Sequence, residues 1–164
     1  MCNYNKNSYY CDNILNFRYK HSLNPLKIMI SKKAKYGLKA LKVLTEDFGK
    51  GPILISHIAE REQIPKKFLE AILLELRNHG ILHSQKGKGG GYQLRVEPSR
   101  VNFAQVIRVI DGPIAPTPCV SINFYVKCDD CLDEATCVLR TVMANVRDAN
   151  LSVYEGTTLA IFQK

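Results

Sequence analysis

The chain has 164 residues, of which 46% are hydrophobic and 23% charged, with a formal net charge of +8. That is an ordinary globular composition, and it excludes collagen, low-complexity disorder and coiled-coil rods. No run approaches the ~20 consecutive apolar residues of a membrane helix, and the N-terminus lacks the apolar core of a secretory signal, so a cytoplasmic protein without membrane contact is expected.

The charge is uneven: residues 1–28 carry +3, residues 29–100 carry +7 and residues 101–164 carry −2. A basic module beside a mildly acidic one favours a polyanionic partner for the first and a different task for the second. A solvated basic face is the plain alternative. In a reducing compartment, the six cysteines point to metal or redox chemistry rather than structural disulfides.

Residues 1–28 are rich in Asn and Tyr and show no sustained periodicity, so they read as a poorly packed extension. Met29 begins a more regular pattern and is a candidate natural start, the upstream segment being either a native extension or a start-site artefact. Ser31 can cap a helix whose apolar positions include Ala34, Leu38, Leu41, Leu44 and Phe48. Gly49 and Gly51-Pro52 end it. Ser56 is placed to cap a short helix containing Ile58 and Ala59, and Gln63-Ile64 turns the chain. Pro65 suits the start of the next helix, which runs to about Asn78 with Phe68, Leu69, Ile72, Leu73 and Leu76 as its apolar face. Two short strands follow, 81–85 and 92–96, joined by Lys86-Gly87-Lys88-Gly89-Gly90-Gly91. Asn102 and Gln105 form a candidate capping box for a helix that stops at Asp111-Gly112. Residues 113–136 are irregular. From Cys137 a longer helix carries Val138, Leu139, Val142, Met143, Val146 and Ala149, an apolar stripe assigned to contact with a second copy of the chain rather than to its own core.

Three helices followed by a β-hairpin is the order of a winged helix-turn-helix. The fold class expected is therefore mainly α with a small β-hairpin wing, plus a C-terminal dimerisation helix. Three parts follow: 1–28 as the extension, 29–100 as a winged helix-turn-helix DNA-binding domain, and 101–164 as a cysteine-containing sensor loop and dimerisation helix. In such a fold the N-terminal residues of the second helix of the turn meet base edges in the major groove of double-stranded DNA. Lys66, Lys67 and Glu70 sit there. Lysine can donate to guanine acceptors, and glutamate can accept from the cytosine amino group. Lys86 and Lys88 of the wing would reach backbone or minor groove. Ser31, Lys32, Lys33, Lys35 and Tyr36 open the first helix, in position for backbone contact. A lysine pair on a helix is ordinarily just solvated; the ordered combination is the specific signal. The glycine-rich run lacks the spacing of a phosphate-binding loop.

The segment Met29-Ile-Ser-Lys-Lys-Ala-Lys-Tyr-Gly-Leu-Lys-Ala-Leu41 resembles the opening helix of the Rrf2 family of bacterial transcriptional regulators, whose members include IscR, NsrR and CymR. Ile58-Ala-Glu-Arg61, Phe68-Leu-Glu70, Leu76-Arg77, Gly80-Ile81, Gly87-Lys-Gly-Gly-Gly-Tyr92 and Val106-Ile-Arg-Val-Ile-Asp-Gly112 match its pattern in order. The resemblance implies a homodimeric repressor or activator on a pseudo-palindromic operator. It places Lys67, Glu70 and Lys86 where IscR-like members contact bases or the groove, although Lys67 and Lys86 differ from the residues of IscR itself.

Cys119, Cys128, Cys131 and Cys137 are separated by eight, two and five residues. Thiolates are soft ligands for iron–sulfur clusters and zinc, and free or oxidisable thiols in a loop are the alternative. The resemblance implies a [2Fe-2S] or [4Fe-4S] cluster on three cysteines, to which Cys119, Cys131 and Cys137 correspond. The fourth ligand of IscR, a histidine, falls at Arg140, and the aspartate of some NsrR members falls at Lys35. Neither replacement can ligate, so Cys128 is the candidate fourth ligand. Thiol-redox sensing without a cluster, zinc or no metal stay open. Cys2 and Cys11 receive no role. His21 lies in the extension, and His57, His79 and His83 read as surface or packing residues. No nucleophile–base pair, carboxylate dyad or cofactor fingerprint supports an enzyme, and Cys128-x-x-Cys131 lacks a thioredoxin-like setting.

Overall fold

The computed structural model describes residues 30–87 and 89–163. The expected extension over 1–28 and the wing residue Lys88 lie outside the described residues. Five α-helices and one antiparallel hairpin follow in order: α1 Lys32–Glu46, α2 Ile55–Glu62, α3 Lys66–Asn78, β1 Leu82–Gln85, β2 Gly91–Leu94, α4 Phe103–Asp111 and α5 Val138–Gly156. Single turns of 3-10 helix lie at Pro98–Arg100, Pro118–Val120 and Leu159–Phe162. This is the winged helix-turn-helix order expected from the sequence.

Ser31 caps α1 as its position suggests, its hydroxyl accepting the Ala34 N–H at 3.0 Å. The same cap is held from a distance. Asp111, at the end of α4, accepts the Ser31 N–H at 2.9 Å and also binds the Ser31 hydroxyl. A carboxylate at a helix N-terminus complements the helix dipole. Phe48, expected on the apolar face of α1, lies beyond its end and is exposed.

α2 departs from expectation. Ser56 is inside the helix, not at its cap. Leu54 is the capping residue, with no side-chain hydrogen bond, and its carbonyl accepts the N–H groups of His57 and Ile58. The cause is non-local: Ile53 forms a two-way bridge with Tyr92 of β2, at 2.8 and 2.9 Å, which fixes the chain just before the helix.

Pro65 caps α3 and supplies its carbonyl to the Phe68 and Leu69 N–H groups. Leu69, Ile72, Leu73 and Leu76 are fully buried. They meet Leu41 and Val43 of α1 and Ile58 of α2 in one core. Burying a side chain of this size contributes roughly 1.5–3 kcal/mol, so this small set of positions carries much of the stability. α4 closes the core over α1, where Gly37 leaves the room that Ile110 fills. The Asn102–Gln105 capping box is present, with both bonds at 2.9 Å.

β1 and β2 pair in the register Leu82–Leu94, His83–Gln93, Ser84–Tyr92 and Gln85–Gly91. Only Leu151 of α5 is buried. The chain end returns from α5 to the start of α4, where Phe103 N–H bonds Thr157 O and Leu159 N–H bonds Val101 O. No helix among the described residues is long and apolar enough to cross a membrane.

Candidate nucleic-acid interface and cysteine centre

α2 and α3 are joined by the three residues Gln63, Ile64 and Pro65, the compact connection of a helix-turn-helix. With its apolar face turned to the core, α3 presents Lys66, Lys67 and Glu70 to solvent. All three are in the first two turns. Pro65 offers no side-chain cap, and no acidic residue sits in the first turn. The first-turn amides, the dipole and two lysines thus make one electropositive helix end, suited to phosphate or base acceptors.

α1 flanks this end. Tyr36 packs edge-on against Phe68 with ring centroids 5.8 Å apart, and the Lys32 ammonium sits 5.6 Å from the Tyr36 ring centre. Lys33 behaves differently from its neighbours: its ammonium lies 2.5 Å from a Glu75 carboxylate oxygen, tying α1 to α3. Ser31 is engaged with Asp111 through its hydroxyl. Of the wing lysines, Lys86 is exposed at the end of β1.

Two glycines of the wing, Gly90 and Gly91, let the chain approach its own backbone closely. A β-carbon on Gly91 would meet the Ile53 carbonyl and the Leu54 nitrogen, and one on Gly90 would meet the Gln85 and Gly87 carbonyls.

The four loop cysteines are brought together. Cys119, in the Pro118–Val120 turn, is buried. Cys128 and Cys131 begin and end a turn closed by the Cys131 N–H to Cys128 O bond, at 3.3 Å. Cys137 caps α5, its sulfur accepting the Arg140 N–H at 3.4 Å. All four line one open cavity of about 360 Å³, which Arg140 also borders. Lys35 is on α1, away from it. The hydrogen-bonding Cys119 thiol, aided by burial, pushes the Cys128 thiol up to about 11. Burial, then the neighbouring Cys137, raises Cys131. Both thiols are therefore protonated near neutrality. Among the described residues no three Cys, His, Asp or Glu side chains close on a single ion. Four thiols on one cavity are soft donors of the kind that hold an iron–sulfur cluster or zinc.

Arg147 of α5 was not a candidate in the sequence. Its guanidinium donates to the Val120 carbonyl at 2.6 Å, so α5 holds the turn that carries Cys119. Nothing local marks this contact; the two residues are 27 apart.

Comparison with known proteins gives a consistent picture. Residues 30–163 match the profile of a family described as Rrf2, iron-dependent transcriptional regulator. An rrf2-like HTH-type transcriptional regulator of Rhodobacter capsulatus is 45% identical over 134 residues, spanning 80% of this chain and 89% of the relative. The solved structure of CymR, the global cysteine regulator of B. subtilis, is similar with a TM-score of 0.66 and 33% identity, covering 79% of this chain and 92% of that one. IscR of T. potens is similar with a TM-score of 0.63 and 29% identity, covering 80% and 82%. These relatives are transcriptional regulators, not enzymes.

Proposed function

The chain belongs to the Rrf2 family of DNA-binding transcriptional regulators, and we propose that it binds a pseudo-palindromic operator as a homodimer in the cytoplasm and senses redox, nitric oxide or iron–sulfur status through its cysteine loop. The observation that carries the DNA reading is the exposed Lys66, Lys67 and Glu70 face at the N-terminal end of α3. Lys67 and Glu70 are assigned to base edges. Lys66 is placed beside them at the same helix end, Lys86 and Lys88 are assigned to backbone or minor groove, and Lys32, Ser31 and Tyr36 to the backbone. Lys33 is the weakest member of the set, because Glu75 already neutralises it.

The test separates the two kinds of contact. On a duplex selected by the wild-type protein from a random-sequence library, Lys67→Ala is expected to weaken binding about tenfold or more. Lys33→Ala should act less, and alike on selected and random DNA. Equal losses on both duplexes for both variants would contradict the recognition-helix assignment.

As the sensor we assign an iron–sulfur cluster, [2Fe-2S] or [4Fe-4S], with Cys119, Cys131 and Cys137 as ligands and Cys128 as the fourth. Such a cluster supplies one-electron chemistry and sensitivity to oxidants. Support comes from the four thiols that line one cavity. Cys137 caps α5 and Arg147 ties α5 to the Cys119 turn. A change in the loop would therefore shift the helix that sets the spacing of two recognition helices, on which operator affinity depends. A cluster-free, thiol- or small-molecule-responsive regulator is the second reading. It is favoured by the lack, among the described residues, of three ligands converging on one ion.

Iron, sulfide and visible absorption, measured on protein purified without oxygen, decide between the readings. The cluster reading expects coloured protein with matched iron and sulfide, and their loss in Cys128→Ser. Full iron retention in Cys128→Ser would remove Cys128 from the ligand set. A colourless, iron-free wild type would favour the second reading and leave the DNA assignment standing.

A further inference from the structure

The turn between α2 and α3 holds Gln63 at φ 52° and ψ 48°, the one non-glycine residue with positive φ among the described residues. An L-residue with a β-carbon is crowded in this left-handed region, and helix-turn-helix turns often place glycine in it. Glutamine gains nothing inside the chain that would offset the strain. Its side chain is exposed and its amide makes no hydrogen bond among the described residues; its backbone N–H, at the C-cap of α2, bonds the Ala59 and Glu60 carbonyls. The left-handed backbone serves to close α2, but glycine would close it without the strain; what glutamine adds is an exposed side chain, and strain kept for a side chain with no internal partner points to a use outside the chain.

The location is suitable. Gln63 lies three residues before Lys66, the first residue of α3. It shares a surface depression with Lys35, Tyr36, Lys39, Arg61 and Glu62. Tyr36, one wall of that depression, is the residue packed against Phe68 in the first turn of α3. The depression therefore adjoins the helix end assigned above to DNA.

We propose that Gln63 is a specificity-determining residue, its carboxamide reading a base edge beside those faced by Lys67 and Glu70. The inference rests on the reading of α3 as the recognition helix. The chemistry adds something those two lack. Lysine only donates and glutamate only accepts, whereas a carboxamide does both at once and matches the adjacent N6 donor and N7 acceptor of adenine.

The test uses Gln63→Gly in the full chain, which removes the side chain and the strain together. Its melting temperature is expected to rise by about 2–4 °C. Its affinity for the duplex selected by wild type should fall about tenfold, with binding to a random-sequence duplex of equal length unchanged. Repeating the selection with the variant should relax the preference at one base pair per half-site and keep the rest. Unchanged affinity for the selected duplex would overturn the proposal, as would an equal loss on random DNA. A melting temperature that does not rise would also overturn it, by removing the strain from which it starts. Lys67→Ala on the same duplex separates the levels of failure. A loss with Lys67→Ala and none with Gln63→Gly overturns only the role of Gln63; no loss with either overturns the recognition-helix reading as well.

Discussion

Replacing Val142 and Val146 with glutamate together is expected to leave the protein folded but monomeric, and to lower its affinity for the selected duplex about 100- to 10,000-fold. Along α5, Val138, Val142, Val146 and Val153 recur at helical spacing and remain 76, 47, 39 and 63% exposed, while only Leu151 is buried. In the proposed homodimer such a stripe gains its burial from the second copy. Each valine withdrawn from water contributes roughly 1.5 kcal/mol, and a two-fold axis would count every position twice. A glutamate pair in each protomer would place four carboxylates in a dry contact, which is strongly unfavourable. Loss of the dimer then uncouples two half-sites that otherwise bind as one, and the stated fold-change is the usual gain from that linkage. Because the substituted side chains touch little within the chain, the circular dichroism spectrum and thermal transition of the winged helix should persist. Ser152→Glu, on the exposed polar side of the same helix, is the control and should leave mass and affinity alone. Sedimentation equilibrium reads the first outcome. A double variant that remains dimeric at wild-type affinity would remove α5 from the interface.

The parts legible in the sequence are those governed by local rules. The Asn102–Gln105 capping box, the Ser31 cap and the buried row from Leu69 to Leu76 are each determined by side chains three or four residues apart, the reach of a helix turn. The clustering of Cys119, Cys128, Cys131 and Cys137 was legible for the same reason, since all lie within nineteen residues. What escaped was decided across the chain. Ser56 obeys the capping rule but loses the position to Leu54, because Ile53 is held by Tyr92. Ser31 meets Asp111 over 80 residues and Arg147 meets Val120 over 27, and no periodicity announces either contact. Gln63 was readable as part of a turn, yet its left-handed backbone was not, because glutamine is not the residue that such a position selects. The glycine-rich run between the strands was legible as a turn, but its close contacts were not. The structure assigns Gly90 and Gly91 first to close approach of the chain to itself.

That close approach sets the second large expected effect. Gly91→Ala should destabilise the protein by about 3 kcal/mol, within the ordinary range for a misfitted backbone position plus a clash, and lower its melting temperature by about 10 °C. The new β-carbon would overlap the Ile53 carbonyl and press on the Leu54 nitrogen, all main-chain atoms that cannot rotate aside. The residue also sits at φ +156°, where side chains are rarely tolerated. Relief requires moving either β2 or the segment before α2, and both are pinned by the paired bonds between Ile53 and Tyr92. Gly89→Ala is the matched comparison. It lies in the same turn at φ +80°, but its β-carbon would meet nothing within 4 Å, so it should cost only about 1 kcal/mol of backbone strain. The difference between the two variants isolates the contact from the dihedral angle. Gly91→Ala should also weaken DNA binding at temperatures where the protein is still folded, because Lys86 rides on the displaced strand pair. Equal thermal shifts for Gly89→Ala and Gly91→Ala would show that the Ile53 contact does not hold the wing in place.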